Sequence, residues 1–178
     1  MAADNEFSRV FEIDELPADG RELHIEAKPA ERAALARRFG ILGLDSVVAD
    51  ATLTPAGRAI RVAGRFDADV VQACVVTLEP VATHVSEGFS VLFERDVGAD
   101  MTDRVHLIDP DEEDIDILAG STIDLGEVVA EQLALALPPY PRKPGVEFRP
   151  YTTDPGAEKP VAAGPSPFSG LDKLLRKQ

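Results

Sequence analysis

Apolar residues recur with a period of two through the first half of the chain, which predicts β-strands. Two short runs come first, at Phe7–Ile13 and at Leu23–Ile25. From residue 44 to 95 the alternation is regular, and four further runs are separated by short turns: 47–53, 60–66, 70–76 and 81–93. Strands joined in sequence by short turns are typical of an antiparallel meander. The run at 70–76 is apolar on both faces, as expected of a covered central strand.

Two segments have helical spacing instead. Pro29 opens an alanine-rich stretch that ends near Gly40, and proline suits the first turn of a helix as glycine suits its end. Within 121–137, apolar residues recur every three or four positions: Leu125, Val128, Val129, Leu133 and Ala136. Asp124 is the predicted N-cap, with Glu127 completing a capping box. Burial of Leu125, Val129 and Leu133 should contribute about 1.5–3 kcal/mol each.

The composition changes after this helix. Nine of the 14 prolines lie between residues 138 and 167, which predicts an extended or disordered tail. The tail ends in an apolar stripe, Phe168, Leu171, Leu174 and Leu175, that either docks on its own body or fits the groove of a partner. We therefore predict a domain over 1–141 and a basic, proline-rich tail over 142–178.

These elements predict an α+β fold. It consists of a mostly antiparallel, twisted sheet that can curl towards a barrel, two helices that cover it, and the disordered tail. Residues 105–108 and 115–118 are candidate short strands that flank an acidic turn.

Charge narrows the possible partners. The chain has 32 acidic and 18 basic residues, a formal net charge of −14, and such a field repels nucleic acid at long range. Residues 96–116 alone contain nine acids and one base, and Asp111, Glu112 and Glu113 are consecutive acids among them. Basic clusters remain on the first helix (Arg32, Arg37, Arg38) and at Arg58, Arg61 and Arg65. Each is either a solvated face or a contact surface for RNA phosphates or an acidic protein.

Reactive chemistry is poorly supported by the sequence. The single cysteine, Cys74, excludes an internal disulfide and favours a reducing compartment. His24, His84 and His106 have no metal-ligand spacing, and the acidic turn has Asp114 where a calcium loop needs glycine. A nucleophile elbow and a phosphate-binding glycine loop are missing. Met1–Val10 does not resemble a signal peptide, and no apolar run is long enough to span a membrane. We expect a cytoplasmic protein with no catalytic residue, cofactor or metal.

Two blocks of sequence carry a resemblance to a known family. The first is Val71-Gln-Ala-Cys-Val-Val-Thr-Leu-Glu-Pro-Val81, and the second runs from Ile123-Asp-Leu-Gly-Glu127 through 129–133 to Leu135-Ala-Leu-Pro-Pro-Tyr-Pro141. In order and separation, with an acidic loop between them, they resemble the YceD family, known as large ribosomal RNA subunit accumulation protein. The ending at 167–175 is similar to alphaproteobacterial members, so the resemblance covers roughly residues 5–178.

The resemblance implies a non-enzymatic bacterial factor in large ribosomal subunit biogenesis that supports accumulation of 23S ribosomal RNA. Many members have a Cys-x-x-Cys pair in the first block and further cysteines after the helix, which together suggest a zinc site. Here Thr77 takes the second position of the pair, and Arg142 and Lys143 stand where the later cysteines fall. We therefore predict no zinc.

The predicted partner is the large-subunit RNA precursor, a basic ribosomal protein, or both. Candidate contacts are the arginine cluster, the acidic turn, the basic start of the tail and its apolar end: Arg58, Arg61, Arg65, Asp111, Glu112, Glu113, Arg142, Lys143, Phe168 and Leu171. The alternatives are a small hydrolase with a site at the sheet edge, where His84 or His106 meets an acid and a nucleophile, and a passive structural subunit. The sequence leaves the oligomeric state open.

Overall fold

The computed structural model describes residues 5–95, 114–118 and 120–147. Within these parts the strands and α-helices follow in this order: β1 (Val10–Glu12), β2 (Arg21–Glu26), α1 (Pro29–Phe39), β3 (Gly43–Ala56), β4 (Ala59–Ala73), β5 (Pro80–Arg95), β6 (Asp114–Leu118), β7 (Thr122–Asp124) and α2 (Leu125–Ala136). A single 3-10 turn, Ile13–Glu15, follows β1. The predicted division into 1–141 and 142–178 stays a prediction, since most of the second segment lies outside the described residues.

Five strands form the main sheet in the order β2-β3-β4-β5-β6. The first four pair antiparallel, whereas β6 runs parallel to β5. Among the described residues β2 and β6 are the two edges, so the sheet is open and does not close into a barrel. A small antiparallel pair, β1 with β7, lies apart from it. The predicted α+β class and the mostly antiparallel sheet are confirmed.

Strand β4 is longer than predicted. The runs at 60–66 and 70–76 are one strand, β4, because Asp67 and Asp69 continue the alternation of exposed and buried positions between them. Residues 74–76 belong to the turn that follows, and one face of β4 is exposed, so the strand is not covered on both sides. The predicted strand at 105–108 lies outside the described residues, and the one at 115–118 is confirmed as β6.

The first strand is shorter than predicted. Of the strand predicted over 7–13 only β1 forms, since the backbone N–H of Arg9 donates to Asp124 Oδ1 at 2.7 Å and Ile13 already opens the 3-10 turn. The Arg9 guanidinium then reaches Glu31 on α1 at 2.8 Å, and this hydrogen bond lowers the pKa of Glu31 to about 2. Arg9 therefore connects the segment before β1 to the N-terminal ends of both helices.

Helix α2 supplies much of the core, as predicted. Its N-cap is Asp124, whose carboxylate accepts hydrogen bonds from the backbone N–H groups of Gly126 and Glu127. Glu127 does not complete a capping box, because its carboxylate binds Arg38 on α1 at 2.5 Å. Six residues of the helix are buried: Leu125, Gly126, Val128, Val129, Ala130 and Leu133. In the described parts of the chain neither helix has the length and apolar character to cross a membrane.

Candidate partner interface

The two faces of the main sheet differ. One face packs against the helices and bears the buried side chains of β3, β4 and β5, such as Val47, Phe66 and Val85. The other, which we call the outer face, bears the alternate residues, many of which are polar. Two of these are half-buried, Ser46 and Ser86, and six are exposed: Asp50, Arg61, Arg65, Asp67, Asp69 and His84. An open face of this kind is where an antiparallel sheet meets solvent or a partner.

Register places Ser46, Asp69 and His84 in one row across β3, β4 and β5. Ser46 Oγ donates to Asp69 Oδ2 at 2.7 Å, and His84 Nδ1 lies 2.9 Å from Asp69 Oδ1. The hydrogen bond from Ser46, then that from His84, lowers the pKa of Asp69. In return Asp69 is the main cause that raises the pKa of His84, whose Nε2 also lies 3.4 Å from Asp67 Oδ1. The row therefore favours a protonated His84 between two carboxylates.

The next row continues the network. Ser86 Oγ donates a short hydrogen bond to Asp67, which is the main cause that lowers the pKa of this carboxyl group. Arg65 donates to Ser86 Oγ through Nε at 3.2 Å and Nη2 at 3.0 Å. Asp50, directly opposite Arg65 on β3, lies 2.6 Å from His24 Nδ1 on β2. Each cationic group of this network has a carboxylate nearby, so the outer face is a mixed polar surface and not a bare phosphate-binding patch.

The network contains serine, histidine and aspartate, but their geometry differs from that of a catalytic triad. A triad needs the nucleophile hydrogen-bonded to the base. Here Ser86 donates to Asp67, and both ring nitrogens of His84 face carboxylates. His106, the other histidine of the hydrolase hypothesis, lies outside the described residues.

The structure places the predicted contact residues as follows. Arg58 is exposed in the two-residue turn between β3 and β4, and Arg61 and Arg65 share the outer face, as the period of two predicted. Arg142 and Lys143 follow α2 and are exposed, and Lys143 Nζ lies 2.9 Å from Glu79 Oε2. The other predicted contacts lie outside the described residues: Asp111, Glu112, Glu113, Phe168 and Leu171.

The turn after β4 packs against the segment that follows α2. The backbone N–H of Val75 donates to the carbonyl oxygen of Pro141 at 2.9 Å, and that of Lys143 donates to Cys74 Sγ at 3.5 Å. The hydroxyl of Thr77, then the backbone N–H groups of Lys143, Thr77 and Val76, lower the pKa of the buried Cys74 thiol to about 6. These hydrogen bonds favour the thiolate form of Cys74.

Three of the positions at which the family resemblance implies cysteines, Cys74, Thr77 and Lys143, lie together in the structure. That this chain binds no zinc stays a prediction. Zinc in such sites takes four ligands from thiolates and imidazoles. Cys74 is the one thiolate, beside a threonine hydroxyl and a lysine that binds Glu79. Among the described residues no group of three or more Cys, His, Asp or Glu is arranged to hold a metal.

The thiolate gives a direct spectroscopic prediction. Because Cys74 is the single cysteine, the absorbance at 240 nm should titrate with a midpoint near pH 6 in the folded protein. In guanidinium chloride the midpoint should return to about 8.5. A thiol whose pKa is depressed by folding adds stability above the unfolded value, and this contribution is lost as the pH falls through the folded value.

Cys74→Ser is the matched control, since it should remove the transition and the pH dependence of stability that goes with it. A folded-state midpoint near 8.5 in the wild-type protein would contradict the hydrogen-bonded thiolate.

A second surface, at β6, was not predicted from the sequence. Ile115 and Ile117 are 47% and 51% exposed, and they alternate with Asp114 and Asp116 along the strand. Glu131 on α2 is close enough to Asp116 for the two charges to interact: burial, then the negative charges of Glu127 and Asp116, raise the pKa of Glu131. The exposure of these two isoleucines could not be predicted, because apolar residues in a short predicted strand are ordinarily assigned to the core.

A family model described as "Large ribosomal RNA subunit accumulation protein YceD" matches residues 62–175, more than half of the chain. The match includes both blocks singled out in the sequence and begins within β4. No curated protein and no solved structure matches.

Proposed function

This chain belongs to the YceD family, and from that premise we propose that it is a factor in large ribosomal subunit biogenesis that acts by binding a basic ribosomal protein. The family description links it to accumulation of large-subunit ribosomal RNA. The direct partner, the cytoplasmic site of action and the lack of catalysis are our inference from the surface of the fold.

The charge distribution favours a protein partner over RNA. The described parts of the chain contain 21 acidic and 12 basic residues. Arg9, Arg38 and Lys143 are paired with the carboxylates of Glu31, Glu127 and Glu79. RNA affinity comes largely from cations that are available to phosphates. Three of the described cations are thus already bound to acids of the same chain, and the remaining excess of acidic residues suits a basic protein better.

A role of this kind has a simple physical basis. A ribosomal protein carries a high density of positive charge and has to be kept from unproductive contacts until its RNA site forms. An acidic partner can occupy its basic surface in the meantime. RNA then displaces the partner by competing for the same charges. Binding and release alone account for this role, and the network around His84 lacks the contact that a serine nucleophile requires.

Sedimentation of a native lysate on a sucrose gradient, with and without RNase, tests the proposal. We expect this protein to comigrate with large-subunit precursors, and we expect a smaller complex with a ribosomal protein to survive RNase, because the direct contact is to protein. Complete release to the free-protein position by RNase would assign the contact to RNA. Sedimentation only as free protein, with normal ribosomal RNA in a deletion strain, would overturn the assembly role.

A further inference from the structure

The two edges of the main sheet are unequal. Edge strands present unpaired N–H and C=O groups, and proteins usually protect them with charged side chains. On the outer face the β2 edge carries Glu22, His24 and Glu26, which protect it in this way. The β6 edge carries Ile115 and Ile117 on that face, both about half exposed. Among the described strands β6 is the last of the sheet and pairs with β5 on one side.

The surroundings of β6 specify the charge of an incoming strand. Asp116 lies on the strand face opposite to Ile115 and Ile117, and burial, then the negative charges of Glu127 and Asp116, raise the pKa of Glu131 on α2. The positive charge of Arg38 only partly offsets the repulsion between these carboxylates. Its guanidinium is bound to Glu127 at 2.5 Å and 2.8 Å, and the pKa of Glu131 is still raised overall. A cation beside Asp116 would relieve this repulsion.

We propose that β6 is a docking edge for an extended segment with alternating basic and apolar residues, which adds a strand to the sheet. The inference rests on the proposed function, because such a segment would come from a basic ribosomal protein. Apolar side chains of the added strand contact Ile115 and Ile117, basic ones face Asp116 and Glu131, and the main-chain hydrogen bonds supply affinity, as in other cases of strand addition. The alternation of basic and apolar residues in the segment matches β6, because successive side chains of any strand point to opposite faces of the sheet.

The probe is a fluorescein-labelled peptide, Lys-Val-Lys-Val-Lys-Val-Lys, added to the full-length protein. Fluorescence anisotropy gives its affinity, and hydrogen–deuterium exchange shows where it binds. We expect slower exchange of the amides of 114–118 on binding. The peptide Lys-Ser-Lys-Ser-Lys-Ser-Lys has the same charge and should bind about tenfold more weakly, because it lacks the apolar contacts.

Ile117→Lys should weaken binding of the valine peptide about tenfold, because it places a charge on the edge. Leu135→Lys, on an exposed position of α2, is the matched control and should leave the affinity unchanged. Glu131→Gln separates docking from a structural role. It should lower the affinity for the valine peptide about threefold. It should also raise the denaturant midpoint at pH 7, because it removes like-charge repulsion from the free protein.

Equal affinities for the two peptides, protection away from 114–118, or amides of 114–118 already protected in the free protein by another part of the chain would each overturn strand addition. The assembly role has its own test, since sedimentation of the wild-type protein does not depend on the peptide. Comigration that persists in Ile117→Lys would overturn the docking edge and leave the assembly role standing.

Discussion

Replacement of Leu133 by aspartate is expected to abolish folding. Leu133 is 0% exposed and lies on the face of α2 that packs against the sheet. Loss of a buried leucine side chain costs about 2–5 kcal/mol. A carboxylate left in its place without a partner adds several kcal/mol more. The sum is comparable to the whole stability of an ordinary domain, about 5–15 kcal/mol.

Circular dichroism and thermal melting measure this outcome, and Leu135→Asp supplies the control. Leu135 is on the same helix two residues further on and is 79% exposed, so the same change of chemistry should leave the melting temperature nearly unchanged. A soluble Leu133→Asp protein with an unchanged melting temperature would show that α2 does not pack on this face.

The sequence was sufficient for those elements whose signals are local. Helix α2 was predicted from the spacing of its apolar residues and its Asp124 cap, and α1 from Pro29 and Gly40, whose φ of 65° ends the helix. Period-two alternation predicted the antiparallel meander, although it divided β4 into two strands. It also placed Arg61 and Arg65 on one face, because side-chain direction in a strand depends only on parity.

The features that the sequence did not predict depend on contacts between distant residues. One of these is the parallel pairing of β6 with β5, whose direction no local sequence signal fixes. Glu127 was assigned to a capping box from its spacing, yet Arg38, 89 residues away in sequence, takes its carboxylate. The same holds for the candidate surfaces. Asp67, Asp69 and His84 become a network only through the register of β4 on β5.

A substitution at Gly64 is expected to have the second large effect, about 3 kcal/mol of lost stability for Gly64→Ala. Gly64 is in the middle of β4, opposite Ala51 on β3 and Phe89 on β5. A methyl group here would clash with the carbonyl oxygen of Asp50 and lie 2.9 Å from Ala51 Cα and 3.1 Å from Phe89 Cζ. Two of these obstacles are backbone atoms of the central sheet, which cannot move without disturbing the β3–β4 ladder.

Gly43→Ala is the matched control, because Gly43 is also a strand glycine of this sheet, but an added methyl would lie 3.6 Å from Val71 Cβ, an ordinary contact. Alanine is preferred to glycine within a strand by entropy alone, so Gly43→Ala should change stability by no more than about 0.5 kcal/mol or raise it slightly. Urea unfolding of both variants measures the difference. Equal midpoints would mean that β3 and β4 do not approach closely at Gly64. A lower midpoint for Gly64→Ala alone would establish that this glycine is needed for the close approach of β3 to β4, next to the strand positions that carry Arg65 and Asp50 on the outer face.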